Sequence, residues 1–154
     1  MSRVRERPAK PSTGRRPALV VAAVAVVLGG CGGITAPDLF VVQRSGSDPA
    51  AKLTLLVNEE GGVSCNGVRA VSGHKLKLSD AQLVEARAIQ EDLHDPASMR
   101  TALAPRPKSV LSYHVRDEAG SVSFSDNSAG QPAVFRRMAL FVLRTARSVC
   151  HLPE

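Results

Sequence analysis

The chain has 154 residues, 44% of them hydrophobic, which is enough for one domain with a real core. Four Phe, one Tyr and no Trp argue against stacking platforms for bases or sugars. Residues 1–30 hold six of the 20 basic residues and one of the 14 acidic ones, which leaves 14 and 13 from Cys31 onward. The rest of the chain is therefore nearly neutral, and we expect no nucleic-acid partner.

The first 30 residues have the organisation of an export signal. A basic stretch over residues 1–17 precedes the apolar run ALVVAAVAVVL at 18–28, and small residues follow. The run is shorter than the roughly 20 residues that a membrane span needs. An uncleaved signal anchor is the alternative interpretation.

Leu28-Gly29-Gly30-Cys31 resembles the bacterial lipobox. The resemblance implies cleavage between Gly30 and Cys31 and a lipid, such as palmitate, on the Cys31 thiol. A buried cysteine in an apolar helix is the plainer alternative, but the four flanking glycines disfavour a helix. We expect a signal peptide over residues 1–30, a flexible tether over 31–37 and one domain over 38–154, anchored to the outer face of the cell membrane.

The expected domain begins with three strands and a helix. Residues 39–42, 52–57 and 63–65 are rich in β-branched and apolar residues and are separated by turn sequences. Ser79 and Gln82 form a capping-box pattern, which predicts a helix over residues 80–94.

A loop, a hairpin and a second helix follow. Residues 95–108 contain three prolines and no clear periodicity, which predicts a long loop that is functional or disordered. Alternation at 111–115 and 122–124 predicts a β-hairpin, and an amphipathic pattern predicts a helix over 132–150. The fold class is therefore α+β, an antiparallel sheet of about five strands packed by two helices in the order β-β-β-α-loop-β-β-α.

Two cysteines remain in the domain if Cys31 carries lipid. An even pair in an oxidising compartment favours a disulfide between Cys65 and Cys150, worth about 4 kcal/mol through the long loop that it closes. The alternative is two separately buried thiols.

No pattern predicts catalysis, a cofactor or a metal site. The four histidines lack ligand spacing. Ser72-Gly73-His74-Lys75 and Ser125-Asp126-Asn127 match two signatures of penicillin-binding enzymes, but a K-T-G motif is missing and Ser72 does not open a helix pattern. We therefore expect that the protein is not an enzyme.

One side of the second predicted helix carries four arginines. This cluster could contact an anionic surface, although a solvated helix face is the simpler interpretation because the domain is nearly neutral. Its members are Arg136, Arg137, Arg144 and Arg147.

The segments DLFVVQRSGS, KLTLLVNEEGGVSCNG and LVEARAIQEDL resemble a group of uncharacterised actinobacterial lipoproteins. That resemblance implies an exported, lipid-anchored domain with no known activity. We expect a monomeric, non-catalytic binding or accessory protein whose partner is an envelope protein or polymer.

The order of strands, helix, loop and hairpin is also similar to that of the Streptomyces-type subtilisin inhibitors. That similarity implies a protease-binding loop at 95–108 that presents Met99-Arg100. The departure is that this loop has no cysteine to brace it, and an unbraced loop would lose entropy on binding.

Overall fold

The computed structural model describes residues 36–152. The strands of its main sheet are β1 (Asp38–Gly46), β2 (Leu53–Asn58), β3 (Val63–Cys65), β6 (Leu111–Arg116) and β7 (Ser121–Ser125). These five strands are all paired antiparallel, in the spatial order β3-β2-β1-β6-β7. A small ribbon of β4 (Ala70–Val71) and β5 (His74–Lys75) lies between β3 and the first helix in the chain.

Two helices cover one face of the sheet, α1 (Asp80–Ser98) and α2 (Ala133–Ser148). Buried residues of both helices and of alternate strand positions form a single core. Phe141 of α2 packs edge-on against Phe40 of β1, and Phe135 stacks on Phe124 of β7. The predicted α+β class is therefore confirmed.

The sequence around Ser79 forms the predicted helix start. The Ser79 hydroxyl accepts a hydrogen bond from the Gln82 N–H, and the Gln82 side chain accepts one from the Ser79 N–H. This reciprocal capping satisfies two donors, one at the N-cap and one in the first turn.

Helix α1 ends later than predicted. It runs to Ser98, with Pro96 inside its last turn, so residues 95–98 are helical rather than part of a loop. The extra turn buries Ala97 in the core, and this tertiary packing outweighs the local preference for ending a helix before proline. Helix α2 is shorter than predicted: Pro132 is its N-cap, and Val149 is its C-cap.

Cys65 and Cys150 form a disulfide, as predicted, with their Cα atoms 5.9 Å apart. The bond joins the edge strand β3 to the chain just after α2. It links residues separated by 85 positions.

Candidate functional site

The sheet face opposite the helices is polar. Successive side chains of a strand point to opposite faces, so burying Phe40, Val42 and Val115 in the core leaves Gln43 and His114 exposed on the other face. The two helices cover only the apolar face, which makes the polar face the part of the sheet that a ligand can reach.

Three side chains form a row across the middle of that face. Gln43 of β1 is the direct partner of His114 of β6, and His114 is the direct partner of Ser123 of β7. The His114 Nδ1 and the Ser123 Oγ lie 2.9 Å apart, within hydrogen-bond distance. The row is therefore held by strand register and by one side-chain hydrogen bond.

A groove of about 350 Å³ lies over this row. None of the described residues that line it is an aspartate, glutamate, lysine or arginine. Leu103 and Pro105 form an aliphatic side, and Tyr113 and Phe124 also line the groove. The polar lining consists of Gln43, Ser45, Ser112, His114, Ser123 and Ser125.

The side of the groove is formed by the segment after α1, which pairs with the outer edge of β7. The Ser123 N–H donates to the Thr101 carbonyl at 2.9 Å, and the Leu103 N–H donates to the Ser123 carbonyl at 2.8 Å. This pairing places Leu103 beside the groove. It also covers part of a sheet edge that could otherwise pair with another chain.

Asn127 fastens the exposed middle of the same segment. Its side chain accepts a hydrogen bond from the Arg106 N–H at 3.1 Å and donates to the carbonyls of Arg106 and Pro107. These bonds hold the proline-rich stretch against the turn after β7.

Asp126 fastens the end of the segment. Its carboxylate accepts hydrogen bonds from the N–H groups of Val110 and Leu111 and from the Ser109 hydroxyl. The Ser128 hydroxyl adds a bond to the Leu103 carbonyl. We call Asp126, Asn127 and Ser128 the clasp. The segment between α1 and β6 is thus braced by hydrogen bonds, whereas the lack of cysteine in residues 95–108 predicted an unbraced loop.

The clasp also gives a structural role to Ser125-Asp126-Asn127, which matches a signature of penicillin-binding enzymes. Ser125-Asp126-Asn127 ends β7 and holds a loop, and the other matching residue, Ser72, lies in the exposed tip of the β4–β5 ribbon with φ +51°. Neither segment opens a helix, so the structural context of that nucleophile is missing from both.

Met99 and Arg100 lie together at the end of α1. Met99 is the C-cap and is 71% exposed, and Arg100 has φ +53°. A peptide that adds a strand to a binding partner is extended, and this helical-to-left-handed step is not. The conformation therefore does not favour Met99-Arg100 as the bond presented to a protease.

The four arginines of α2 do not form one open cationic surface. Arg137 pairs with Asp92 and Arg144 pairs with Glu85, which ties α2 to α1. These charges are partly neutralised, and the pairs are partly exposed, so each contributes little to stability. Arg136 is exposed.

The remaining candidate residues fall into two groups. Cys31 and Gly30 lie outside the described residues, and Cys65 and Cys150 are bonded to each other.

Among residues 36–152, no group of three or more His, Cys, Asp or Glu side chains could hold a metal ion. Over the same range, no helix has the length and apolar character to cross a membrane.

The groove residues were not predicted from the sequence. Alternation within each strand indicates that Gln43, His114 and Ser123 share a face with other polar residues. It does not indicate that β1 and β6 are neighbours, since about 65 residues of chain separate them.

Searches against protein-family models, curated proteins and solved structures found no match to this chain. No residue role is therefore transferred from a relative.

Proposed function

We propose that the protein is an exported lipoprotein of the actinobacterial type, anchored at the outer face of the cell membrane through a lipid on Cys31. Its role is to bind an envelope component without catalysis. The Leu28-Gly29-Gly30-Cys31 sequence after an apolar run supports the anchor.

The Cys65–Cys150 disulfide is the structural observation that carries the proposal. Disulfides persist in oxidising compartments and are rare in the reducing cytosol. Because Cys65 and Cys150 pair with each other, Cys31 is left without a disulfide partner among the three cysteines of the chain. This fits a role for Cys31 as the site of lipid attachment.

The binding role rests on the groove. Its polar side chains include one glutamine, one histidine and four serines, and its aliphatic side is held by the clasp. A fixed concave site on a rigid sheet suits recognition. The His114–Ser123 contact resembles a base and nucleophile pair, but within residues 36–152 no carboxylate is hydrogen-bonded to the His114 ring to orient it.

Mass spectrometry and detergent-phase partitioning of the protein from its host membrane test the anchor. We expect a mature chain that begins at a lipidated Cys31, and a Cys31→Ser protein that leaves the detergent phase. The double variant Cys65→Ser/Cys150→Ser is the matched control, because it loses the disulfide and keeps the lipid. A Cys31→Ser protein that still fractionates with membranes would support the uncleaved signal anchor instead.

The clasp favours protease inhibition as a second candidate, because a braced loop loses less entropy on binding and resists cleavage. Residues 104–108 are exposed and would enter the protease. Titration of the protein against subtilisin-like and trypsin-like proteases tests this. Rapid cleavage in the loop without inhibition excludes it.

A further inference from the structure

We infer that the groove on the open sheet face binds a neutral oligosaccharide. The inference rests on the proposed function in one respect, since an exported domain meets the glycans of the cell envelope. It adds the chemical class of the ligand and the residues that recognise it.

The chemistry of the lining disfavours a charged ligand. Recognition of phosphate or carboxylate uses charged or strongly polarised donors, most often Arg and Lys. None of the described lining residues is an arginine, lysine, aspartate or glutamate. A ligand with a formal charge would therefore lose hydration in the groove without gaining an ion pair with any of these four residue types.

The polar groups that are present match sugar hydroxyls. A serine hydroxyl and a glutamine amide can each donate and accept a hydrogen bond, as a sugar hydroxyl does. Gln43, His114 and Ser123 present such groups in one row, about 5 Å apart from strand to strand. Ser45 and Ser112 are direct cross-strand partners and add a second pair of hydroxyls.

The aliphatic side suits the C–H face of a sugar ring. Leu103 and Pro105 lie on one side of the groove, and the clasp fixes them through Ser128 and Asn127. The rings of Tyr113 and Phe124 are buried in the core and offer no exposed face for stacking, so we expect weak binding, with a Kd of about 1 mM.

The covered edge of β7 argues against an extended peptide as the occupant. A peptide of this kind binds by adding a strand to an open sheet edge. Beside the groove that edge is not free to pair with a peptide, because the Ser123 N–H and carbonyl are already hydrogen-bonded to Thr101 and Leu103. The groove lies on the face of the sheet, where backbone groups are already paired within the ladder.

The test is a titration of the full-length protein in detergent with chitotetraose and with maltotetraose, followed by calorimetry and by the NMR shift of the His114 ring. We expect at least one of these glycans to bind and to shift the His114 signals. Gln43→Ala and Ser123→Ala should each weaken binding by about tenfold, which corresponds to about 1.4 kcal/mol. Gln90→Ala, a glutamine on the helical layer, is the matched control and should bind as the unchanged protein does.

Three results would overturn the inference: no glycan binding at about ten times the expected Kd, glycan binding that Gln43→Ala and Ser123→Ala leave unchanged, or stronger binding of an anionic polymer or a neutral peptide at the groove. Circular dichroism and the intact disulfide mass verify that each variant is folded. The anchor is measured separately. If the protein carries lipid but does not bind glycans, only this inference is contradicted. If it binds glycans but carries no lipid, only the proposed anchor is contradicted.

Discussion

Asn127 bonds to both polar backbone groups of Arg106, accepting from its N–H and donating to its carbonyl. Arg106 is not part of a strand, and the Asn127 amide makes the pair of backbone hydrogen bonds that a neighbouring strand would otherwise make. The loop between α1 and β6 is consequently held at an exposed point.

Replacing Asn127 with Ala should release the loop. The bonds are exposed, so we expect a modest loss of about 1 kcal/mol in the free energy of unfolding. We expect a larger effect on local opening, seen as faster trypsin cleavage after Lys108 and faster hydrogen exchange at Arg106. Asn58→Ala is the control, because Asn58 braces the β2–β3 turn in a similar way. Equal cleavage rates in the two variants would contradict the role of the clasp.

Tyr113 should ionise at unusually high pH. Burial raises the pKa of its hydroxyl above 10.0, the nearby Arg44 cation partly opposes this, and the Asp126 carboxylate adds to the rise. The chain has one tyrosine and no tryptophan, so tyrosinate absorbance reports Tyr113 alone. We expect a midpoint above that of the same protein in denaturant.

The same shift has a consequence for stability. A pKa that is higher in the folded state means that folding favours the protonated hydroxyl. Its contribution is fully present below about pH 10 and is lost as the pH rises through the folded pKa. Urea unfolding across alkaline pH should therefore show a steeper decline for the unchanged protein than for Tyr113→Phe. Parallel curves would contradict this.

Gly120 should not tolerate a side chain. It has φ +155°, and a Cβ atom there would lie 2.3 Å from the Ala97 carbonyl oxygen. We expect Gly120→Ala to cost about 3 kcal/mol, measured by urea unfolding, because the conformation is nearly restricted to glycine and the end of α1 would have to move. Gly130→Ala is the control. It also has positive φ but no neighbouring atom within 4 Å, and should cost about 1 kcal/mol.

Thr145 offers a stabilising change. It is fully buried in α2, and its hydroxyl has no hydrogen-bond partner among the described residues. Thr145→Val keeps the shape and removes the unpaired group, so we expect a gain of about 1 kcal/mol in the free energy of unfolding. Thr54→Val, at an exposed strand position, should give no such gain. A loss of stability in Thr145→Val would indicate that the hydroxyl has a partner in solution.

Local sequence signals were sufficient for most of the elements. Runs rich in β-branched and apolar residues predicted β1 and β2, alternation predicted β6 and β7, and the Ser79 capping box predicted the start of α1. The predicted end of α1 was wrong because residues 95–98 lack a clear helical periodicity, whereas the burial of Ala97 that holds this turn depends on contacts with distant chain segments. The β4–β5 ribbon was missed, although Ser72-Gly73 is a dipeptide typical of tight turns.

The groove could not be predicted in the same way. Gln43, His114 and Ser123 meet only because β1 pairs with β6, and strand order is a long-range property. The bracing role of the clasp was not predicted, because Ser125-Asp126-Asn127 was considered only as a match to a signature of penicillin-binding enzymes. Asp126 and Asn127 are typical turn residues, and that simpler interpretation would have suggested a bracing role.

The disulfide makes a covalent ring of the chain from Cys65 to Cys150. This ring contains α1, the clasped loop, β6, β7 and α2, and it leaves β1 and β2 outside. A single protease cut anywhere inside the ring opens it without separating the two pieces. A domain nicked at the exposed loop would therefore still carry both fragments as one molecule, and the cut would become visible only on a reducing gel.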